Sequence, residues 1–564
     1  MKKIIPIAVA IVLIIVIGGV SVGLKLVEKY SYSKERADLD EYFGISSNED
    51  TAVILGNEMI QERARLIDGV YYMNLSSVHL YFNDRFYEDR NENLLLYTLP
   101  DDIVRCEIGG SAKETKNGTE ELGYVAARYE GDALLVALDY VKEYSNFSYQ
   151  AFTEPNRLQI DTAWEEINVC EIAKDTAVRI RGGIKSAILA DAAAGERVTV
   201  LEQMENWTKV KTADSIIGYV ENKRLGEIRA ERPIPVSDYT EPEYTSVTRD
   251  YKINLGWHVI AGEAGNDTLQ SVTEKTKGLN VISPTWFKLC DNEGGFTSFA
   301  SKSYVDKAHG MGMEVWAVIE NIEYKDSIDM YEILSSTSTR AKLIESLVSV
   351  VKEFGIDGIN VDFETISIDC GEHFVEFIRE LSIPCRQNRI VLSIDNYVPK
   401  GYNDHYNRKE QGIVADYVII MGYDEHFAGS SEAGSVASID FVEEGIERTV
   451  DQVPPEKVIN AVPFYTRIWE TTGSGISSQA VGMEMAEEYV SAHNIVTEWD
   501  EAACQNYGEY TSGDTLHQVW LEDEESIRVK LNIMEKYGIG GVASWRLGFE
   551  KPQIWDVIGE YLNQ

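Results

Sequence analysis

Basic residues are scarce in this chain: 52 Lys and Arg stand against 93 Asp and Glu in 564 residues, a formal net charge of −41. A surface of that sign repels phosphate backbones and anionic headgroups, so nucleic acid is excluded as a partner. Cysteine is also rare. Cys106, Cys170, Cys290, Cys370, Cys385 and Cys504 never fall in C-x-x-C spacing, which removes zinc-ribbon and thioredoxin-like readings. Buried thiols and disulfides both stay open for them, with Cys370 and Cys385 the nearest pair. The eight histidines, His258 and His426 among them, show no ligand spacing, and there is no H-E-x-x-H, Walker loop or Rossmann glycine pattern. No metal and no nucleotide cofactor is therefore expected. Gly294-Gly295, preceded by Asp291-Asn292-Glu293, reads as a loop rather than a phosphate cradle. Apolar residues are not lacking: at 44% they can furnish real cores, which excludes a wholly disordered chain.

Long apolar runs are absent except one. Ile4 to Leu24 follows Met1-Lys2-Lys3 and stops at Lys25, giving 21 residues. About 20 helical residues span the roughly 30 Å hydrocarbon core, so residues 1–24 are expected to form a transmembrane anchor. The two leading lysines put its start in the cytoplasm and the remaining domains outside the cell. A cleaved signal peptide, leaving a secreted protein, stays open because Gly18, Gly19, Ser21 and Gly23 are small.

Residues 25–50 are polar and charged and read as a linker. From 51 to 167, short β-rich runs such as 70–75, 94–97 and 133–138 are separated by Asn, Asp and Gly turns. This β-rich module carries no cluster with assignable chemistry. A second small unit, 168–228, has strand-like runs at 176–180, 197–201, 207–210 and 217–220, spaced as in a compact barrel. Val178-Arg179, Gly195-Glu196-Arg197-Val198-Thr199-Val200, Trp207-Thr208-Lys209-Val210 and Gly218-Tyr219-Val220 resemble bacterial Src-homology-3-like domains. That resemblance implies a cell-wall-binding or spacer role. Residues 229–249, with Pro233, Pro235 and Pro242, form a second linker.

From 250 to 564 the pattern becomes α/β. Apolar strand-like runs at 253–260, 281–287, 314–319, 358–364, 390–394, 417–421, 458–463 and 542–545 alternate with helical signals at 301–309, 339–354, 371–381, 438–450 and 526–537. Eight such units predict a (β/α)₈ TIM barrel, preceded by small all-β domains and the N-terminal transmembrane helix. The active site of such a barrel lies at the C-terminal ends of its strands.

One strand carries chemistry. In Gly358-Ile359-Asn360-Val361-Asp362-Phe363-Glu364, alternation puts Asn360, Asp362 and Glu364 on one face and the apolar residues on the other. If the apolar face packs under helices, the polar face points into the barrel, where isolated carboxylates are costly without a function.

Together with Asp357, this stretch resembles the acidic motif of glycoside hydrolase family 18, the chitinase and N-acetylglucosaminidase barrel. Met421-Gly422-Tyr423-Asp424, Pro463-Phe464-Tyr465 and Trp545 fit that family's later strands in order. Asn360 departs from the commonest chitinase pattern and, with the closing Ala543-Ser544-Trp545-Arg546-Leu547-Gly548, resembles the spore-cortex and cell-wall N-acetylglucosaminidases. An amide at 360 cannot ionise, so no proton is shared between positions 360 and 362.

The resemblance implies that Glu364 is the general acid, Asp362 orients the substrate's 2-acetamido group, and Tyr423 hydrogen-bonds its carbonyl. Asp357, Asn360, Asp424, Tyr465 and Trp545 are the expected substrate-binding set. Trp286 joins them as an aromatic near a strand end able to stack on sugar, as do Trp257, Trp316 and Trp469 by position alone. Arg467 contacts substrate or pairs with a carboxylate. The implied activity is hydrolysis of β-linked N-acetylglucosamine polymers with retention, peptidoglycan first and chitin or chitooligosaccharides second. A silent glycan-binding barrel is the rival from another class, and Glu364 argues against it.

Overall fold

The computed structural model of the chain describes residues 4–237 and 239–563. Met1, Lys2 and Lys3, on which the orientation of the apolar segment rests, lie outside the described residues. Two compact units are present, one built from residues up to 86 with 106–112 and 121–241, the other from 87–105, 113–120 and 242 onward.

In the first unit the apolar segment forms one helix, Ile4–Tyr30. Its Ala8–Tyr30 stretch is long and apolar enough to cross a membrane, a property that signal sequences share. The helix runs past Lys25 because Leu26, Val27, Glu28 and Lys29 all sustain helix. The segment expected to be a linker is ordered in part. Asp38 caps a short helix, Leu39–Phe43, which ends on left-handed Gly44, and Phe43 is buried among Ala52, Ile54, Leu189 and Ile216. A seven-stranded sheet then runs in the order 148–152, 157–161, 50–55, 58–67, 70–74, 133–137, 127–130. A second sheet holds Thr176–Arg179, Ile188–Ala192, Arg197–Gln203, Trp207–Thr212 and Ile217–Glu221. Its core is Val178, Val198, Val210 and Val220, the alternating positions of those strands.

The second unit is a closed parallel barrel. Its strands are β1 (Ile253–His258), β2 (Val281–Pro284), β3 (Glu314–Glu320), β4 (Gly358–Asp362), β5 (Val391–Tyr397), β6 (Tyr417–Met421), β7 (Val458–Pro463) and β8 (Gly541–Trp545). Each pairs in parallel with its neighbours, and β8 pairs with both β7 and β1 to close the ring. Inside it, Leu255, Trp257, Trp316, Val318, Tyr417 and Ile419 form one core. Ile359 and Val361 of β4 and Phe363 just after it pack outward with Leu347, Phe374 and Phe377 of the flanking helices, so the polar face of β4 points inward. Gly358 begins that face, where a methyl group would sit 2.7 Å from the Trp316 ring.

Three features surround this frame. Residues 246–249 brace the N-terminal end of the barrel, where Ser246 donates to Asp416 at 2.9 Å and Arg249 forks onto Glu314 at 2.7 and 2.8 Å. Between β7 and β8 lies an antiparallel five-stranded sheet, Tyr465–Thr472, Gly475–Gly482, Thr497–Asp500, Gln505–Ser512 and Thr515–Leu521, with the helix Met483–Ala492. Residues 87–105, placed by sequence in the β-rich module, pack as part of the barrel unit. Asp89 accepts from the Thr337 backbone N–H at 2.6 Å, and Glu92 from that of Ser338 at 2.7 Å. These carboxylates cap the helix Thr337–Phe354, whose own N-cap Ser336 makes no side-chain bond to the helix backbone and instead donates its hydroxyl to Glu92.

Candidate active site

Strands β4 and β5 build the centre of the site as three rungs. Their register sets Asn360 beside Ser393 and Val361 beside Ile394, so the inward faces read Asn360, Asp362, Glu364 on one and Ser393, Asp395, Tyr397 on the other. In the lowest rung Asn360, fully buried, donates its amide N–H to Ser393 Oγ at 3.1 Å and to Asp395 Oδ1 at 2.9 Å. Its carbonyl oxygen accepts the indole N–H of Trp257 at 2.9 Å. In the top rung the Tyr397 hydroxyl donates to Glu364 Oε2. The middle rung sets two carboxyls, Asp362 and Asp395, side by side.

Glu364 lies just beyond the C-terminal end of β4, and Asn321 after β3 holds its backbone on both sides. The Glu364 N–H donates to Asn321 Oδ1 at 2.8 Å and its carbonyl accepts from Asn321 Nδ2 at 2.8 Å. Burial raises the Glu364 carboxyl above its ordinary range, the Tyr397 hydrogen bond opposes this, and the charges of Asp424 and Glu320 add to it. Asp362 is driven up by burial and then by Asp395, Glu364 and Glu320. Asp395 is pushed up to about 8, by burial first. Asp362 Oδ1 is buried and has no hydrogen-bond partner among the described residues. The site therefore combines a carboxyl whose protonated form burial favours with an unpartnered carboxyl oxygen beside it.

Strands β6 to β8 supply the opposite wall. Burial raises the Tyr423 hydroxyl, as do Tyr465, Asp362, Asp395 and Glu364, which places this phenol among the carboxyls. Its ring meets that of Tyr465 edge-on at 6.2 Å, and the Tyr465 hydroxyl donates to Asp424 Oδ1 at 2.6 Å. Trp545, half-buried at the end of β8, stands edge-on to Trp257 with ring centroids 5.9 Å apart. Arg467 donates to Ser478 Oγ at 3.1 Å, while its buried Nε has no partner among the described residues.

Two expected substrate contacts lie elsewhere. Asp357 precedes β4 at the N-terminal end of the barrel and accepts from the Val315 N–H and from His309 Nε2, each at 2.8 Å. Five steps along the strand separate it from Asp362, roughly 16 Å, so it braces the barrel floor. Trp286 is completely buried, donates its indole N–H to Asn266 Oδ1 at 2.8 Å and packs edge-on against Tyr304. No sugar face can reach it. Trp316 and Trp469 are likewise fully buried. Sequence reasoning missed Glu320, Asn321, Asp395 and Tyr397. The signal for the last two was the alternation in Ser393-Ile394-Asp395-Asn396-Tyr397, which continues β5 past the apolar run at 390–394.

Residues 274–550 match the model of glycosyl hydrolases family 18, and residues 174–226 that of the bacterial SH3 domain. A protein of Bacillus subtilis (strain 168) named as a sporulation-specific glycosylase, YdhD, is 31% identical over 230 residues, covering 39% of this chain and 53% of its own. The cortical fragment-lytic enzyme of Bacillus anthracis is 26% identical over 254 residues, covering 43% of this chain and 59% of its own. The chain thus spans little more than half the length of these curated relatives. Among solved structures, a chitinase from Chromobacterium violaceum ATCC 12472 superposes with a TM-score of 0.50 at 21% identity, covering 56% of this chain and 99% of its own. The spore cortex-lytic enzyme SleL of Bacillus megaterium QM B1551 superposes with a TM-score of 0.50 at 19% identity, covering 65% and 89%. At these identities the superpositions show the fold.

Proposed function

We propose that this protein is a membrane-anchored extracellular hydrolase of β-linked N-acetylglucosamine polymers, with peptidoglycan as its substrate, because residues 274–550 match the model of glycosyl hydrolases family 18 and residues 174–226 that of the bacterial SH3 domain. The observation that carries the reading is Glu364 at the barrel mouth. Burial favours its protonated form, and the unpartnered Asp362 Oδ1 stands two residues before it on the same strand face.

In this reading Glu364 protonates the glycosidic oxygen, and the leaving chain departs as the substrate's own 2-acetamido oxygen closes on the anomeric carbon. Asp362 accepts the acetamido N–H at its free Oδ1 and stabilises the positive charge that develops on the ring. The Tyr423 hydroxyl donates to the acetamido carbonyl. The sugar lies on Trp545, with Asp424 and Tyr465 at its side. Glu364, now ionised, takes a proton from the water that opens the ring from the face the leaving group vacated, so configuration is retained.

Three observations support the polymer and its place. The relatives carry names that refer to cortical fragments and sporulation. A bacterial SH3 domain accompanies the barrel. The Ala8–Tyr30 helix is long and apolar enough to hold the chain at a membrane.

The test compares the full chain in detergent with its Glu364→Gln variant on purified peptidoglycan and on chitooligosaccharides, with products identified by mass spectrometry. Fragments with new N-acetylglucosamine reducing ends from the parent alone support the reading. Cleavage of chitooligosaccharides only would change the substrate, and binding without products from either chain would leave a glycan-binding barrel. N-terminal sequencing of the cell-associated protein separates an anchor from a cleaved signal.

A further inference from the structure

The strand that carries Glu364 has an amide at position 360, so the carboxyl next to Asp362 must come from elsewhere or be absent. Asn360 cannot stand in for it. Its carbonyl oxygen is engaged by Trp257 at 2.9 Å, and its N–H groups are spent on Ser393 and Asp395.

The neighbouring strand supplies the group. Asn360 and Ser393 form one hydrogen-bonded rung, and Glu364 and Tyr397 form another two steps above it. The register Val361–Ile394 carried one step further sets Asp362 and Asp395 in the rung between them, where the Asp395 charge acts on Asp362. Asp395 is only 3% exposed. Among the described residues neither carboxyl forms an ion pair with Lys, Arg or His. The ionisable groups that face the pair are Glu364 after β4, Glu320 from β3, Tyr406 after β5 and Tyr423 after β6, none of them a cation.

We propose that Asp395 is the positioning residue for Asp362, supplying from β5 the second carboxyl that β4 lacks at position 360 and sharing one proton with Asp362. Two adjacent carboxyls out of water and without a cation cannot both ionise, so the pair keeps a proton. The elevation of Asp395 to about 8 agrees with this, burial acting first, the Asn360 N–H opposing it and the Glu364 charge adding.

The Asn360 N–H, aimed at Asp395 Oδ1, fixes the Asp395 side chain. Asp395 O–H then donates to one Asp362 oxygen, leaving Oδ1 of Asp362 to accept the acetamido N–H. No proton leaves the pair during the step. Glu364 alone gives its proton to the glycosidic oxygen, and Asp362 remains a carboxylate while positive charge develops beside it. The catalytic consequence rests on the hydrolase reading above, whereas the shared proton does not.

The experiment uses the full chain with Asp395→Asn, and with Asn360→Asp combined with Asp395→Asn, which returns the carboxyl to β4. On purified peptidoglycan, kcat of the single variant is expected to fall roughly 10²-fold with KM nearly unchanged, as for a misplaced reacting group. Its acid limb should move to higher pH, because Asp362 loses the Asp395 O–H that stabilises its carboxylate. The double variant should recover at least about tenfold of kcat and the parental acid limb. Parental kcat and pH profile in Asp395→Asn would overturn the inference. So would a double variant no better than the single one when both fold with the parental circular dichroism spectrum.

Infrared spectra taken in a Glu364→Gln background give a readout free of turnover. The protonated-carboxyl band at neutral pH should vanish when Asp395→Asn is added, and a band unchanged by that addition refutes the shared proton. If no glycan is cleaved yet the band behaves as expected, the hydrolase reading fails and the carboxyl pair stands.

Discussion

The Tyr397 hydroxyl on β5 donates to the Glu364 carboxyl across the mouth of the barrel, so the acid is held by its neighbouring strand rather than by its own. That bond works against burial. Burial disfavours the charged carboxylate, while a phenol donating to it favours the charge. The acidity of Glu364 is a balance between the two, and Asn321 fixes where the balance is struck by holding the backbone of residue 364.

Tyr397→Phe should tip that balance. Without the phenolic donor the Glu364 carboxyl moves further above its ordinary range and stays protonated to higher pH. The alkaline limb of kcat/KM on peptidoglycan should therefore shift upward. Loss of orientation should lower kcat about tenfold, below the roughly 10² to 10⁴ of a whole acid–base group. A profile superimposable on the parent's would mean that the bond contributes nothing to the working acid.

Glu364→Gln should remove turnover while sparing binding. Gln fills the same volume and still offers an acceptor, yet has no proton to give, so the rate should drop roughly 10² to 10⁴-fold. Co-sedimentation with purified peptidoglycan should match the parent. Loss of binding alongside turnover would place Glu364 in substrate recognition instead.

The barrel was legible because its strands are apolar on both faces and alternate with amphipathic helices, and all eight runs marked in the sequence are strands. The inward Asn360-Asp362-Glu364 face was legible for a different reason, since period-2 alternation of polar and apolar residues has one interpretation in a barrel strand. Asp395 and Tyr397 escaped because β5 turns polar where it enters the site, and polarity there reads as the end of a strand. Trp286 misled because strand-end position does not distinguish the inside of a barrel from the layer beneath its helices. The docking of residues 87–105 on the barrel unit depends on contacts more than 200 residues apart in sequence, such as Asn91 with Ser335, and local pattern carries no trace of these. Nor does it reveal the five-stranded sheet between β7 and β8, two of whose strands are largely polar and exposed.

Asp89 offers a test of that docking. It is fully buried and accepts from the N–H of Thr337 in the first turn of an 18-residue helix whose own cap residue makes no such bond. Asp89→Ala should cost about 1–2 kcal/mol, the value of a lost N-cap, and lower the thermal midpoint of the barrel unit by a few degrees. Asp89→Asn should cost less, because its amide oxygen still accepts from the backbone N–H. Equal midpoints for parent and Asp89→Ala in scanning calorimetry would mean that the helix is capped by water instead.

Asp395 should trade stability for position. Its carboxyl rises from 3.8 in the unfolded chain to about 8 in the fold, so the folded state holds a proton that the unfolded state has released. The stability this group contributes is fully present below about pH 4 and is lost as the pH climbs through about 8. Asp395→Asn abolishes that loss, and its amide oxygen can still accept the Asn360 N–H. The variant should therefore melt close to the parent at pH 4 and above it at pH 8. A tenfold change in acidity is worth about 1.4 kcal/mol; water entry and relaxation of the ionised site reduce the full amount, leaving a gain of order 2 kcal/mol. Thermal unfolding followed by circular dichroism across this range checks the sign as well as the size. A gap between variant and parent that stays constant with pH would show that the Asp395 proton is not linked to folding, and a gap that narrows toward pH 8 would show that the carboxyl is charged in the native barrel.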